Sequence, residues 1–337
     1  MLSGFSGLKT FSLSFTSIID PDYRILPDKG KRLVITEKQL NQLSNNSNIV
    51  HYSKVVEEKA FLQFKDKNEL GLIIGVDEHY NKTVAVDSVV VSGKWIEPKT
   101  NQTIAGFLLA DKLSMGVFDY TSALEIFVPK PGKGQVNQNS FNKIKCQNIG
   151  LLDINEEANQ QMVYTSLEAA QELLQYDSDT VTYIELKTTE GADEALLKEQ
   201  LNTIFNNKAK VKSRIELNDA LHKMLNTENI AVYLIFTLIL IIALFNVIGS
   251  IIMMIIDKKN NLKTLYNLGT TLKEIKNIFF FQGVLLTFIG GSIGVLLGAL
   301  LIAAQVFFEF VKIPGTTIPY PVELNMMNIV LVLFTIF

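Results

Sequence analysis

Cysteine is all but missing from this 337-residue sequence: Cys146 stands alone. That excludes an intramolecular disulfide and a cysteine-based zinc site, and leaves Cys146 to be expected as a small buried hydrophobe. The three histidines, His51, His79 and His222, fall at no regular spacing, so no metal site is expected. A basic excess is also missing, with 31 Lys and Arg against 34 Asp and Glu, so there is no field for nucleic acid. A phosphate-binding P-loop needs Gly-Lys followed by Ser or Thr, but the pairs at 30–31, 93–94 and 132–133 precede Arg, Trp and Gly. No His-Glu-x-x-His or Gly-x-Ser-x-Gly occurs either. The adjacent pairs Glu57-Glu58 and Glu156-Glu157 diverge from each other and read as solvated surface. No catalytic residue, bound cofactor or metal is therefore expected in this chain.

The absence with the widest consequence is that of charge from residues 230–256 and again from residues 278–308. A hydrocarbon core of ~30 Å needs ~20 helical residues, so each run is long enough to span it. Between the runs, Asp257-Lys-Lys-Asn-Asn-Leu-Lys263 and Lys273-Glu-Ile-Lys276 carry five lysines, whereas residues 309–325 offer only Lys312. Cytoplasmic loops carry the lysine excess, so 257–277 is expected in the cytoplasm, with residues 1–229 and 309–325 outside. Residues 326–337 read as the start of another span. An external segment of this size must be carried across, yet residues 1–20 lack a basic region followed by an apolar one. The expectation is a fragment whose first membrane helix is missing and whose last is cut short. Two domains follow: 1–226 outside the cytoplasm and 227–337 in the membrane.

Along the outer domain, Phe11, Leu13 and Phe15 alternate with Ser12, Ser14 and Thr16, which suits a strand. Thr36 with Gln39 has capping-box spacing and predicts a helix start, as does Thr165 with Glu168. Residues 49–64, 70–76, 124–128 and 141–152 read as strands. Residues 180–187, 192–205 and 210–215 read as strand, helix and strand, a β-α-β unit of the split, ferredoxin-like kind. Residues 218–226 lead into the first span as one helix. The fold class expected is α+β followed by transmembrane α-helices.

Three candidate functional stretches remain. Gly290, Gly294 and Gly298 recur every four residues, a flat strip that another helix can approach closely. In the lysine-rich loop, Thr271 and Glu274 have capping-box spacing, while Leu272, Ile275, Ile278 and Phe279 share a helical face. This predicts a short amphipathic helix at the membrane surface, suited to docking on a cytoplasmic partner. Residues 129–140, with Pro129, Lys130, Pro131 and Lys133, have no apolar period and read as a protruding loop.

The stretch Asp257-Lys-Lys-Asn-Asn-Leu-Lys-Thr-Leu-Tyr-Asn-Leu-Gly-Thr-Thr-Leu-Lys-Glu-Ile-Lys-Asn-Ile-Phe-Phe-Phe-Gln-Gly283 resembles the loop of FtsX/MacB-type ABC permeases, with Thr270 in place of the usual alanine. The outer domain is similar to the MacB periplasmic core. Phe245-Asn-Val-Ile248 and Val311-Lys-Ile-Pro314 look most like lipoprotein-releasing permeases of the LolC/LolE type. The resemblance implies four transmembrane helices in the bacterial inner membrane, with residues 1–229 periplasmic. It implies a second permease subunit and cytoplasmic ATPase subunits that bind the ATP. The cargo would be lipoproteins taken from the membrane lipid and passed to a periplasmic carrier. Gly269, Thr271, Leu272, Lys273, Glu274, Ile275 and Lys276 would form the ATPase-coupling helix, and the 129–140 loop would be the carrier-binding hook. The alternatives are a mechanotransmission permease that regulates a cell-wall hydrolase or drives efflux, and a membrane-anchored enzyme or receptor.

Overall fold

The computed structural model describes residues 2–16, 19–119, 121–130, 140–189, 191–206, 208–313 and 318–336. It divides into two units: Ser14–Asp219, and Met1–Leu13 together with Ala220–Phe337. After a leading helix, α1 (Leu2–Thr16), the strands in chain order are β1 (Tyr23–Pro27), β2 (Leu33–Val34), β3 (Ile49–Phe64), β4 (Lys67–Val76), β5 (Val90–Gly93) and β6 (Gln102–Gly106). They continue as β7 (Leu124–Pro129), β8 (Phe141–Leu152), β9 (Met162–Ser166), β10 (Thr180–Val181), β11 (Tyr183–Thr188) and β12 (Ala209–Ser213). Among them run α2 (Glu37–Ser44), α3 (Tyr80–Thr83), α4 (Phe107–Leu113), α5 (Glu156–Gln161), α6 (Leu167–Leu174), α7 (Glu194–Ile204) and α8 (Arg214–Leu217).

β3 is the spine of the first unit. Its alternation sends Ala60, Leu62 and Phe64 into the core while Lys59 and Phe61 face out. One edge pairs with β4 through a turn at Lys65, and the other pairs first with β11 and then with β7. The sheet runs β12-β1-β11-β3-β4-β9-β6-β8-β5, and β7 bonds to both β3 and β8. That extra pairing closes β3, β4, β9, β6, β8 and β7 into a ring. β11 and β12 both run antiparallel to β1, which lies between them, with α7 crossing over. This is the split β-α-β unit expected from the sequence, in an α+β domain.

Caps set where helices begin. The Thr36 N–H donates to Gln39 Oε1 at 3.0 Å and the Gln39 N–H donates back to Thr36 Oγ1 at 3.4 Å, closing the expected box. The second box is corrected: α6 is capped by Ser166, whose hydroxyl accepts from the Ala169 N–H at 3.3 Å. Thr165 stays in β9 and donates its hydroxyl to the Gln102 carbonyl at 2.9 Å. Cys146 is buried, as expected, and burial pushes its thiol up to about 12.

The strand expected at Phe11, Leu13 and Phe15 is also corrected, because these residues lie in α1. Over its full length Leu2, Phe5, Leu8, Phe11 and Phe15 recur every three to four residues, and that helical stripe prevails over a local alternation. α1 belongs to the second unit up to Leu13. Its Gly7 lies so close to Pro321 that a Cβ would meet the Pro321 carbonyl oxygen at 2.5 Å. Thr10 Oγ1 donates to Glu323 Oε2 at 3.0 Å. The second unit continues with α9 (Asp219–Asp257), α10 (Lys259–Asn267), α11 (Leu272–Phe308) and α12 (Met326–Ile336). α9 runs unbroken from the end of the sheet domain, as expected. α9 and α11 are long and apolar enough to cross a membrane, and their most apolar windows are 0% buried within the chain.

Candidate functional site

The connection between α9 and α11 is more ordered than a loop. α10 ends at Asn267 with Leu268 as its cap, and Gly269 follows with φ +101, a backbone region that side chains strongly disfavour. The Gly269 N–H donates to the Tyr266 carbonyl at 3.0 Å and the Thr270 N–H to the Leu265 carbonyl at 3.2 Å. This pair of bonds is a Schellman stop. One residue on, the Thr271 N–H donates to Glu274 Oε2 at 2.8 Å and the Glu274 N–H donates to Thr271 Oγ1 at 3.4 Å. A helix stop and a helix start therefore sit back to back, fixing an elbow that displays Leu272, Lys273 and Lys276 to solvent. Lys273 and Lys276 make no ion pair among the described residues. The separate short helix expected here is corrected: Thr271 opens α11 itself, so the capped turn and the span form one rod of 37 residues. Leu272 is at the first helical position and the Ile275 N–H donates to the Thr271 carbonyl at 3.2 Å, so the helical hydrogen bonds run without a break from the turn into the span.

Gly290, Gly294 and Gly298 lie on one face of α11, and an added Cβ on any of them would meet nothing within 4 Å. Among the described residues no helix packs against the stripe. Instead it lines an apolar cavity of about 460 Å³ with Phe236 and Ile239 of α9, Ile329 of α12 and Leu2 of α1.

The 129–140 stretch joins β7 to β8. Pro129 pairs with Phe141 in the ladder, and the Lys130 N–H donates to the Ser140 carbonyl at 2.8 Å. Pro131 and Lys133 lie outside the described residues. At the base of this hairpin, sequence reasoning missed an outward apolar patch. Phe61 sits opposite both Leu70 and Phe127, and its ring meets Phe141 edge to face at 6.1 Å. Phe61 is 46% exposed and Leu70 64% exposed. The signal was present in the alternation of β3, where an apolar residue falls on the water-facing side.

A second group missed from sequence is buried. Arg24 on β1 and Glu185 on β11 are ladder partners, with Nη2 at 2.7 Å from Oε1. The guanidinium lies 4.1 Å from the centre of the Tyr183 ring, and the Tyr183 hydroxyl donates to Glu57 Oε2 at 2.6 Å. Burial raises the Glu185 carboxyl above the usual range, opposed by the Arg24 charge and hydrogen bond. Burial also works against the Arg24 charge, but Tyr183 and Glu185 outweigh it and hold the proton on. Residues 161 positions apart give no spacing to read. The group links the edge of the split β-α-β unit to β3.

No protein-family model matches the chain. Among known proteins, the lipoprotein-releasing system transmembrane protein LolC of Buchnera aphidicola subsp. Schizaphis graminum is 23% identical over 312 residues, covering 90% of this chain and 77% of that protein. The chain resembles a LolC/LolE-type permease. LolE of Haemophilus influenzae is 23% identical over 272 residues, covering 79% of this chain and 62% of that protein. A stretch of 67 residues is 33% identical to LolC of the same organism, over 20% of this chain and 17% of that protein. Among solved structures, the periplasmic region of MacB from Actinobacillus actinomycetemcomitans aligns with a TM-score of 0.43 at 9% identity, covering 60% of this chain and 94% of that one. The extracellular domain of the ABC-type transporter YknZ aligns with a TM-score of 0.41 at 11% identity, covering 56% of this chain and 98% of that one. These structural likenesses are weak, and the LolC/LolE resemblance rests on the sequence matches.

Proposed function

We propose that the chain is the permease subunit of an ABC transporter that extracts lipoproteins from the inner membrane and hands them to a periplasmic carrier. The observation that carries this reading is the match to LolC along 90% of the chain. The capped elbow at Gly269–Thr271 supports it, because a cytoplasmic ATPase needs a stiff lever whose displacement reaches a membrane helix. A second permease subunit would complete the membrane part and cover the apolar flanks of α9 and α11. The β7–β8 hairpin supports carrier recruitment: Lys130 offers charge steering, and the Phe61 patch beside it offers apolar area to bury on docking. ATP would be bound by the partner subunit and none by this chain.

The test is release from proteoliposomes that hold this chain, its second permease subunit and the cognate ATPase, loaded with a lipidated protein. ATP and a soluble carrier should together bring the lipoprotein into solution. Replacing residues 130–139 with a Gly/Ser linker should abolish carrier binding while ATP hydrolysis persists. ATP-independent retention of every lipoprotein, combined with ATP-dependent activation of a cell-wall hydrolase, would instead place the chain with regulators of the FtsX kind.

A further inference from the structure

The sheet of the first unit has a notch, and the strand registers show why. β11 lies between β1 and β3, but its pairing reaches only Ile25 on one side and Val55 on the other. β7 takes up the same edge of β3 only from Phe61 onward. Leu26 and Pro27 of β1 and Glu57, Glu58 and Lys59 of β3 therefore border a cavity of about 410 Å³ where a strand would otherwise run. Its backbone edges are closed. The Thr182 hydroxyl accepts from the Glu57 N–H at 2.9 Å and donates to the Glu57 carbonyl at 3.2 Å. The Lys59 N–H donates to Glu58 Oε1 at 3.2 Å, and Pro27 has no N–H to offer. An added strand would find few partners here, so recognition falls to side chains.

Those side chains are mainly ammonium groups. Lys31 is paired with Glu58 Oε1 at 2.8 Å and Lys210 with Asp28 Oδ1 at 3.1 Å. Lys59 and Lys212 line the same cavity and make no ion pair among the described residues. Lys212 is placed at a cost, because it stands directly opposite Arg24 in the β1–β12 ladder, and opposed like charges destabilise a sheet. Glu185 answers the Arg24 charge, which leaves that of Lys212 in excess. An anion bound by Lys59 and Lys212 would offset the cost, with its carbon body resting on Leu26 and Leu72. Glu57 also lines the cavity; its Oε2 accepts from the Tyr183 hydroxyl at 2.6 Å, and its Oε1 has no partner among the described residues. A bare anion would be repelled there, whereas a ligand hydroxyl could donate to that oxygen. Lysine binds phosphate as a point charge, while planar carboxylates favour the arginine fork, and Arg24 is already engaged. We infer that this notch binds the phosphate ester of a small polyol through Lys59 and Lys212, either free in solution or as the headgroup of a lipid. The site does not rest on the transport reading above.

The experiment titrates the full chain in a non-ionic detergent by calorimetry. The probes are sn-glycerol 3-phosphate, inorganic phosphate, and dihexanoylphosphatidylglycerol kept below its micelle concentration. Glycerol phosphate should bind about tenfold tighter than inorganic phosphate, which brings no carbon body. Lys59→Gln and Lys212→Gln should each weaken it about tenfold, while Lys94→Gln, exposed and outside the cavity, should leave it unchanged. Without ligand, Lys212→Gln should unfold at a higher urea concentration than the parent, read by Trp95 fluorescence, because the opposed charges are gone. Glycerol phosphate should raise the midpoint of the parent and that of the variant much less. Equal binding of the ester and the lipid assigns the free ester. A lipid preference of about tenfold or more that Lys212→Gln abolishes assigns the headgroup. Lipid binding indifferent to both lysines overturns the inference, as does the absence of binding by either ester. An acidic hexapeptide that binds where the esters do not overturns it too.

Discussion

In the sheet domain Leu62, Ile73 and Leu124 are wholly buried, whereas Leu234, Phe245 and Leu301 stand 64%, 66% and 73% exposed on the membrane helices. The same kind of side chain meets opposite fates in one chain. The domain satisfies its own hydrophobic demand through two buried clusters under a closed ring of strands. The membrane unit leaves that demand to lipid or to another subunit, and the chain alone supplies mainly backbone bonds, caps and a few close approaches. Glycines show the same division. In the domain a Cβ on Gly106 would lie 2.4 Å from the Asn159 carbonyl oxygen, while at Gly294 it would meet nothing within 4 Å.

The largest effect that would break this comparison lies in the domain. Glu185→Ala leaves Arg24 charged and buried without its partner, and should cost about 3–5 kcal/mol of stability, read by urea unfolding followed through domain fluorescence. Next comes the elbow, where proline separates positions by their place in the helix. Ile275→Pro removes a bond to Thr271 and should cost ~3 kcal/mol of helix and uncouple ATP hydrolysis from transport. Leu272→Pro, at the first helical position, should retain coupling, because that N–H has no helical partner to lose. Equal loss from the two prolines would show that the turn, and not the rod beyond it, is what matters.

A sharper contrast comes from paired glycine substitutions. Gly106→Ala should destabilise the domain by about 1–3 kcal/mol through overpacking, whereas Gly294→Ala should stay within about 0.5 kcal/mol in the detergent-solubilised chain. If a neighbouring helix uses the glycine stripe in the assembly, Gly294→Leu should reduce cysteine cross-linking across that contact, and unchanged cross-linking would dismiss the packing role. The smallest effect is that of Thr271→Ala, which loses one cap and should cost ~1 kcal/mol, seen as faster hydrogen exchange in the first turn of α11.

Much of this was legible because it is local. The Thr36 and Thr271 boxes, the alternation of β3 and the uncharged runs are short-range patterns that the fold obeys. Legibility failed where two local signals competed. Phe11, Leu13 and Phe15 alternate like a strand, but the stripe from Leu2 to Phe15 makes a helix, and only the longer window separates them. Thr165 and Ser166 both qualify as caps, and the hydrogen bond from Thr165 to Gln102 in the neighbouring strand decides between them. It failed altogether for long-range partners. Nothing in sequence spacing pairs Arg24 with Glu185 or brings β7 back to β3. Of the candidate site, the Thr271–Glu274 cap was readable, while the helix stop at Gly269 and the continuity of the turn with the span were not.

The free margin of the sheet is guarded by its own composition. β12 closes one side of the strand order, and it is the short run Ala-Lys-Val-Lys-Ser, with Lys210 and Lys212 exposed along it. An unpaired strand edge is a template on which any extended chain can add, and lysines make such addition unfavourable. Two lysines on this margin would keep an extended chain, or a second copy of the domain, from pairing edge to edge with it.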